Sequence, residues 1–307
     1  MWRWIKRDRK NSRRHVILHY HIFKNAGSTV RSILEQNFGP RFASVESEHP
    51  DDSVSNDTLL RLLELRPDIA AVSSHGLRPP KPENGCFVFH DIVYFRHPLT
   101  RLSSMYDFYR RQDGSQDPLT MEAKKRNLAD FFRVLVDEYP HHAMNPQVAY
   151  LANGATKIPI PSDLTRAEQL ASQFDILGVT DLFDLAAVAA EYLLRGSFNR
   201  QTVLKKFDFS YAAENVSSDR PTDLDVELQR LKEACGDSLF ERLRDLNALD
   251  IALVESARRE CYRRFQLVPD HQRQLKNLSC RSVARERDVA MVVLASNHPH
   301  DFLRYAR

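Results

Sequence analysis

Val16-Ile17-Leu18-His19-Tyr20-His21-Ile22-Phe23-Lys24-Asn25-Ala26-Gly27-Ser28-Thr29-Val30 is the stretch from which the rest of the chain is read. Residues 16–23 are rich in apolar and β-branched side chains over the length of one strand. Beyond them Val30, Ile33, Leu34 and Phe38 recur at helical spacing until Gly39-Pro40 ends the pattern. The spacing therefore predicts strand, tight loop, helix. The loop carries a lysine, a glycine free to take shapes other residues avoid, and two hydroxyls at the helix start. Free amides at a helix N-terminus, with the positive end of its dipole, attract an anion, and Lys24 can reach a bound phosphate as a point charge. The nucleotide-triphosphate loop G-x-x-x-x-G-K-S/T is absent, because here the lysine precedes the glycine. On this fragment alone, a plain strand-to-helix turn capped by Ser28 or Thr29 is the commoner reading.

Bulk properties narrow the class. A chain of 307 residues can bury one large core, and its composition is that of a soluble globular protein. The net charge of +3 is uneven: residues 1–14 hold seven Lys/Arg against Asp8, or +6, which leaves the remainder near −3. The body is therefore not a basic nucleic-acid binder. Residues 1–14, with Trp2 and Trp4, read as a basic leader, solvated or in peripheral contact with acidic lipid or a polyanion. No run of eighteen apolar residues exists and no signal-peptide core follows the first basic residues. Cys86, Cys235, Cys261 and Cys280 lack metal spacing and suit reduced thiols, so a cytoplasmic location is expected.

Further along, residues 41–58 read as an exposed loop, followed by a helix with Leu59, Leu62, Leu63 and Leu65 on one face. Residues 69–74 are a short buried strand that delivers His75-Gly76 to its carboxyl end, where α/β sheets bind ligands. Residues 91–95 form the next strand, ending in Arg96-His97-Pro98, and Pro98 opens a helix with Leu99, Leu102, Met105, Tyr106 and Tyr109 inward. Ser104 falls off that stripe, so an arginine at a strand end and a serine on the next helix can share one phosphate. Arg110-Arg111 and Lys124-Lys125-Arg126 are expected on solvated helix faces. Helices are predicted near 128–139 and 145–151, and a strand at 174–179 leads through Thr180-Asp181 into a helix ending near Gly196. A polar loop spans 211–221, then two helices at 222–234 and 238–265, and residues 289–294 fit strand or helix alike. Together these describe an α/β fold of strand–loop–helix units on a mostly parallel sheet.

At this point the order of motifs resembles the sulfotransferases related to the Golgi heparan sulfate 2-O- and 6-O-sulfotransferases and their bacterial relatives. The family's 5′-phosphosulfate loop is similar to residues 21–29, and its 3′-phosphate motif to Phe95-Arg96-His97-Pro98-Leu99-Thr100-Arg101-Leu102-Ser103-Ser104. Weaker echoes are residues 176–181, where the family's usual Glu is replaced by Asp181, then Asn215-Val216-Ser217 and Leu246-Asn247-Ala248-Leu249-Asp250. The resemblance covers residues 15–265 and leaves 266–307 as an extension. It implies a P-loop-like three-layer fold and the donor 3′-phosphoadenosine-5′-phosphosulfate, with adenosine 3′,5′-bisphosphate as product and no metal required. It also implies that Lys24, Asn25, Ala26, Gly27, Ser28 and Thr29 hold the 5′ end, and that Arg96 with Ser104 (Ser103 as fallback) holds the 3′-phosphate. The family's base is often a histidine after the second strand in a Gly-His pair; here Ser74-His75 keeps the histidine and loses the glycine. Some relatives use glutamate, so Glu46 and Glu48 stand as alternatives to His75.

The expected reaction is in-line transfer of a sulfuryl group to an acceptor hydroxyl, with His75 taking the proton and Lys24 stabilising the leaving oxygen. The acceptor implied is a carbohydrate hydroxyl, and Arg78, Lys81 and Arg41 near the mouth would suit an acidic sugar. Two other readings stay open: a non-catalytic nucleotide- or polyanion-binding module, and a small-molecule kinase.

Overall fold

Val16, Ile17 and Leu18 have no solvent exposure, and each such side chain contributes on the order of 2 kcal/mol by leaving water. They sit in β1 (Arg14–Tyr20), the middle of a five-stranded sheet. The computed structural model describes residues 13–46, 53–114, 116–195, 207–212 and 223–297, the last eleven as backbone. After β1 come α1 (Gly27–Phe38), β2 (Phe42–Ser44), α2 (Asn56–Leu65), β3 (Ala71–Ser74) and β4 (Phe87–Phe95). Next are α3 (Pro98–Arg110), α4 (Pro118–Lys125), α5 (Leu128–Glu138), α6 (Pro140–Ala143), α7 (Pro146–Asn153) and α8 (Pro161–Gln173). The described chain continues with β5 (Ile176–Val179), α9 (Phe183–Leu194), α10 (Leu224–Cys235), α11 (Asp237–Leu246), α12 (Ala248–Gln266) and α13 (His271–Asn297).

The strand order is β2-β3-β1-β4-β5, every pair parallel, with helices on the sheet's faces. This is the expected three-layer α/β fold. Tyr20 aligns with Ser74 on one side and Val93 on the other, and Phe95 with Val179, which brings the carboxyl ends to one edge. The chain leaves β1 toward β2 and leaves β4 toward β5. The departing connections of the two central strands thus diverge and open a crevice between them. One core lies about the sheet. A second, helical core joins Leu99, Leu102 and Met105 of α3 to Phe131, Leu135 and Leu243 from α5 and α11.

Several local expectations change. β1 ends at Tyr20, because Ile22 and Phe23 are apolar to pack a turn rather than to extend a strand. Within the supposed loop 41–58, Phe42–Ser44 forms an edge strand too short to show alternation. Leu65 is exposed, off the buried stripe of Leu59 and Leu63. The helix predicted over 238–265 is two helices broken at Asn247, whose side chain accepts from the Asn145 amide at 3.1 Å and donates to the Leu243 carbonyl at 3.0 Å. Residues 289–294 are helical, and α13 packs through Leu278, which has no exposure. Of the basic leader, residues 1–12 lie outside the described residues. Arg13 and Arg14 belong to the folded body: Arg13 donates to the Phe87 carbonyl at 2.7 Å and Arg14 to that of Leu63 at 2.8 Å. The loop signature 215–217 and Glu48 also lie outside the described residues. Among the described residues no helix is long and apolar enough to cross a membrane.

Two core histidines make the fold acid-sensitive. Burial lowers the pKa of His19 to about 3 and that of His97 to about 4, from an ordinary 6.5. The unfolded chain therefore binds protons that the folded chain refuses, so stability is complete above pH ~6.5 and drains as pH falls toward ~4. At pH 5 each histidine should cost about 2 kcal/mol relative to pH 7. Denaturant midpoints measured across that range should fall steadily, and His19→Gln should flatten the slope; a midpoint constant from pH 7 to 5 would contradict the assignment.

Candidate functional site

The turn between β1 and α1 owes its shape to two left-handed residues, Lys24 (φ 66) and Ala26 (φ 59), neither of them glycine. Holding non-glycine residues there costs of order 1–3 kcal/mol each, so the surroundings must enforce it. Gly27 serves a different need from the one expected. A Cβ at Gly27 would sit 1.7 Å from Cδ2 of His21. The His21 ring cannot retreat, being stacked on His75 at 3.7 Å between centroids and on His19 at 5.2 Å. Burial, and then the neighbouring histidines and cations, drive the His21 pKa far below the usual imidazole range, so the stack is built on a neutral ring. Ala26 is the N-cap of α1 and supplies no side-chain cap, so neither Ser28 nor Thr29 acts as the cap.

The turn's carbonyls are all engaged, three of them by side chains from elsewhere. The His21 carbonyl accepts from His75 Nδ1 at 2.7 Å, and that of Ile22 from the Asn25 amide at 3.2 Å. The Phe23 carbonyl accepts from Arg101 Nε at 3.0 Å, and that of Lys24 from Arg96 Nη1 at 3.4 Å. Arg101 is buried, and burial lowers its pKa to about 10, which leaves it cationic at neutral pH. With the carbonyls occupied by donors, the first-turn amides of α1 carry the local positive potential.

At the end of β4, Arg96 Nε donates to Thr100 Oγ1 at 3.1 Å and Nη2 lies 3.5 Å from Glu227 of α10. Ser104, two turns into α3, is 7% exposed and lines the cleft, whereas Ser103 does not. His75 stands half-buried at the end of β3. Its Nδ1 must carry the hydrogen given to the His21 carbonyl, so Nε2 keeps its lone pair in the neutral ring. Glu46 accepts the backbone amide of His75 at 3.1 Å and is not part of the cleft wall.

These groups share one cleft of about 1270 Å³ along the carboxyl edge of the sheet. Lys24, Ala26, Gly27, Ser28 and Thr29 line it, with His75 on one flank and Arg96 and Ser104 on the other. The Lys24 ammonium lies 4.5 Å from the centroid of the Phe108 ring, also in the wall. Asn25 departs from expectation. It is buried, and its Nδ2 donates to the Tyr94 carbonyl at 2.9 Å and to Gln147 Oε1 at 2.7 Å, so it ties the turn down instead of facing the cleft.

The basic residues expected at the mouth are engaged elsewhere. Arg78 stacks on Tyr150 and donates to the His75 carbonyl, Lys81 pairs with Asp91 and Asp175, and Arg41 donates to the Asp68 carbonyl. The far wall comes instead from Thr180–Leu182 and α13, including Leu275 and Lys276. Nothing in the local pattern marked Lys276, Glu227 or Gln147, because each gains its place only through tertiary packing.

No protein-family model matches the chain. It is similar to an uncharacterized protein of Archaeoglobus fulgidus, 26% identical over 245 residues that cover 78% of this chain and 94% of that protein.

The His21–Gly27 contact makes a sharp prediction. Gly27→Ala should destabilise the fold by about 1–3 kcal/mol, the usual cost of overpacking a rigid site. Adding His21→Ala should recover part of that loss in denaturant melts. Equal stability of Gly27→Ala and wild type would show that the ring moves freely.

Proposed function

We propose that this chain transfers a sulfuryl group from 3′-phosphoadenosine-5′-phosphosulfate to an acceptor hydroxyl, in the carbohydrate class that the resemblance implies. The observation that carries the reading is that two cationic grips and an imidazole, widely separated in sequence, line a single cleft. The residues fit the donor's two anionic ends. An uncapped helix start under Lys24 suits the 5′ end, and a guanidinium beside hydroxyls suits the 3′-phosphate. The cleft volume is ample for a nucleotide.

The donor supplies an electrophilic sulfur and a bisphosphate leaving group. Lys24 and the amides of Gly27, Ser28 and Thr29 stabilise negative charge at the 5′ end, a contribution of about 3 kcal/mol per well-placed donor. Arg96 exchanges its contact with Glu227 for the 3′-phosphate, and Ser104 adds a hydroxyl. His75 Nε2 accepts the acceptor's proton, while Nδ1–H, held by the His21 carbonyl, fixes the ring's tautomer and orientation. All the positive charge this needs comes from side chains and backbone amides.

The test pairs calorimetry of adenosine 3′,5′-bisphosphate with turnover of radiolabelled donor over a glycan panel. Lys24→Ala and Arg96→Ala should each weaken bisphosphate binding about tenfold or more, since each removes a charge-assisted contact. Lys24→Ala should also slow turnover. His75→Ala should bind bisphosphate within about twofold of wild type and turn over roughly a hundredfold slower, the usual worth of a positioned base. Normal turnover by His75→Ala would move the base to another residue, and wild type that binds bisphosphate no better than adenosine 5′-monophosphate would remove the donor assignment.

A further inference from the structure

Gln147 has no solvent exposure and does not line the cleft, yet both anion grips are attached to it. It sits in the first turn of α7. Its Oε1 accepts from Asn25 Nδ2 at 2.7 Å and from the Arg96 backbone amide at 3.0 Å. Its Nε2 donates to the Arg96 carbonyl at 2.8 Å and to Asp250 Oδ2 at 3.1 Å. A side-chain amide offers two acceptor sites and two hydrogens, so its whole capacity is used.

The amide has only one workable orientation. The Arg96 carbonyl and the Asp250 carboxylate accept, while the Arg96 amide and Asn25 Nδ2, itself fixed by the Tyr94 carbonyl, donate. Rotating the group by half a turn would set like against like at every contact. Asp250 is buried as well, and it further accepts the backbone amides of Gln147 at 3.1 Å and Val148 at 2.8 Å, capping α7. Both polar atoms of the Gln147 side chain are thus fully bonded in a buried site, which makes that amide stiff and costly to disturb.

The placement has a mechanical consequence. β4 ends at Phe95, whose pairing with Val179 is the last in that register. One residue later the Arg96 amide and carbonyl are both held by Gln147, which replaces a strand partner exactly where the ladder stops. The same oxygen that holds Arg96 also holds Asn25, the residue after Lys24.

We infer that Gln147 is a positioning residue that fixes the separation of the 24–29 grip from Arg96, and so selects ligands bearing two anionic groups at the matching distance. The inference rests on the proposed donor site and adds to it the element that sets its spacing. Gln147 touches no ligand in this scheme, and its removal frees both grips without deleting either one.

The experiment compares dissociation constants of adenosine 3′,5′-bisphosphate and adenosine 5′-monophosphate by calorimetry for wild type, Gln147→Ala and Asn25→Ala, beside their melting temperatures. The wild-type preference for bisphosphate should narrow at least fivefold in Gln147→Ala, with monophosphate affinity changed less than twofold. Asn25→Ala unties only the turn, leaves the Gln147 bonds to Arg96 and Asp250, and should narrow the preference in the same direction. Should Gln147→Ala fail to fold, the Asn25→Ala ratio decides alone. A lower melting temperature with an unchanged ratio in the folded variants would make the network purely structural and overturn the inference, leaving the donor reading intact. A wild type without preference would remove the donor reading, and this inference with it.

Discussion

Everything at the carboxyl edge of this sheet depends on how the carbonyls of residues 21–24 are occupied. Each accepts a hydrogen bond, from His75, the Asn25 amide, Arg101 and Arg96 in turn. A strand-to-helix turn ordinarily presents carbonyls and amides together, and their potentials largely cancel. Here the negative ends are covered by cationic or neutral donors, and the helix start that follows has no side-chain cap. The first-turn amides of α1 are thereby left as the turn's uncompensated dipole ends, in a cleft whose wall holds Lys24 and Arg96 beside Asp181, Asp184 and Glu227. Two left-handed residues and a glycine beneath a stacked imidazole are the local strain that this arrangement requires.

The same bonds explain why the candidate base and the second grip belong to the turn. His75 and Arg96 each follow the last residue of a strand flanking β1, and each reaches across to a carbonyl of the turn. The parallel register sets Ser74 level with Tyr20 and carries β4 two residues past Val93 to Phe95, so both side chains start beside the turn that follows β1. Secondary structure alone would leave these contacts loose. The buried group of Asn25, Gln147 and Asp250 closes the arrangement from the protein side and links it to α7 and α12.

Periodic features of this molecule could be read from the sequence, and features made by tertiary packing could not. Val16 to Leu18, the stripe of Val30, Ile33 and Leu34, and the Arg96-His97-Pro98 punctuation marked β1, α1 and the β4–α3 junction, because each follows from short-range chemistry. β2 was too short to leave a pattern, and Asn247 breaks a helix through bonds to Asn145 and Leu243 that no local rule anticipates. Lys24, His75, Arg96 and Ser104, drawn from the segments that follow three strands and from α3, line one cleft. Asn25 shows the limit. A polar residue in a polar loop looks like a ligand contact, and only the Tyr94 carbonyl and Gln147 reveal it as an internal tie. The expected basic mouth failed for the converse reason, since Arg78 and Lys81 looked available and are held by Tyr150, Asp91 and Asp175.

The most direct test of the account is a crystal structure with adenosine 3′,5′-bisphosphate bound. The account predicts the 5′-phosphate on the amides of Gly27, Ser28 and Thr29 with Lys24, and the 3′-phosphate on Arg96 and Ser104. His75 should stay clear of both phosphates, open toward an acceptor. A nucleotide bound elsewhere, or with its phosphates turned away from Lys24 and Arg96, would contradict it.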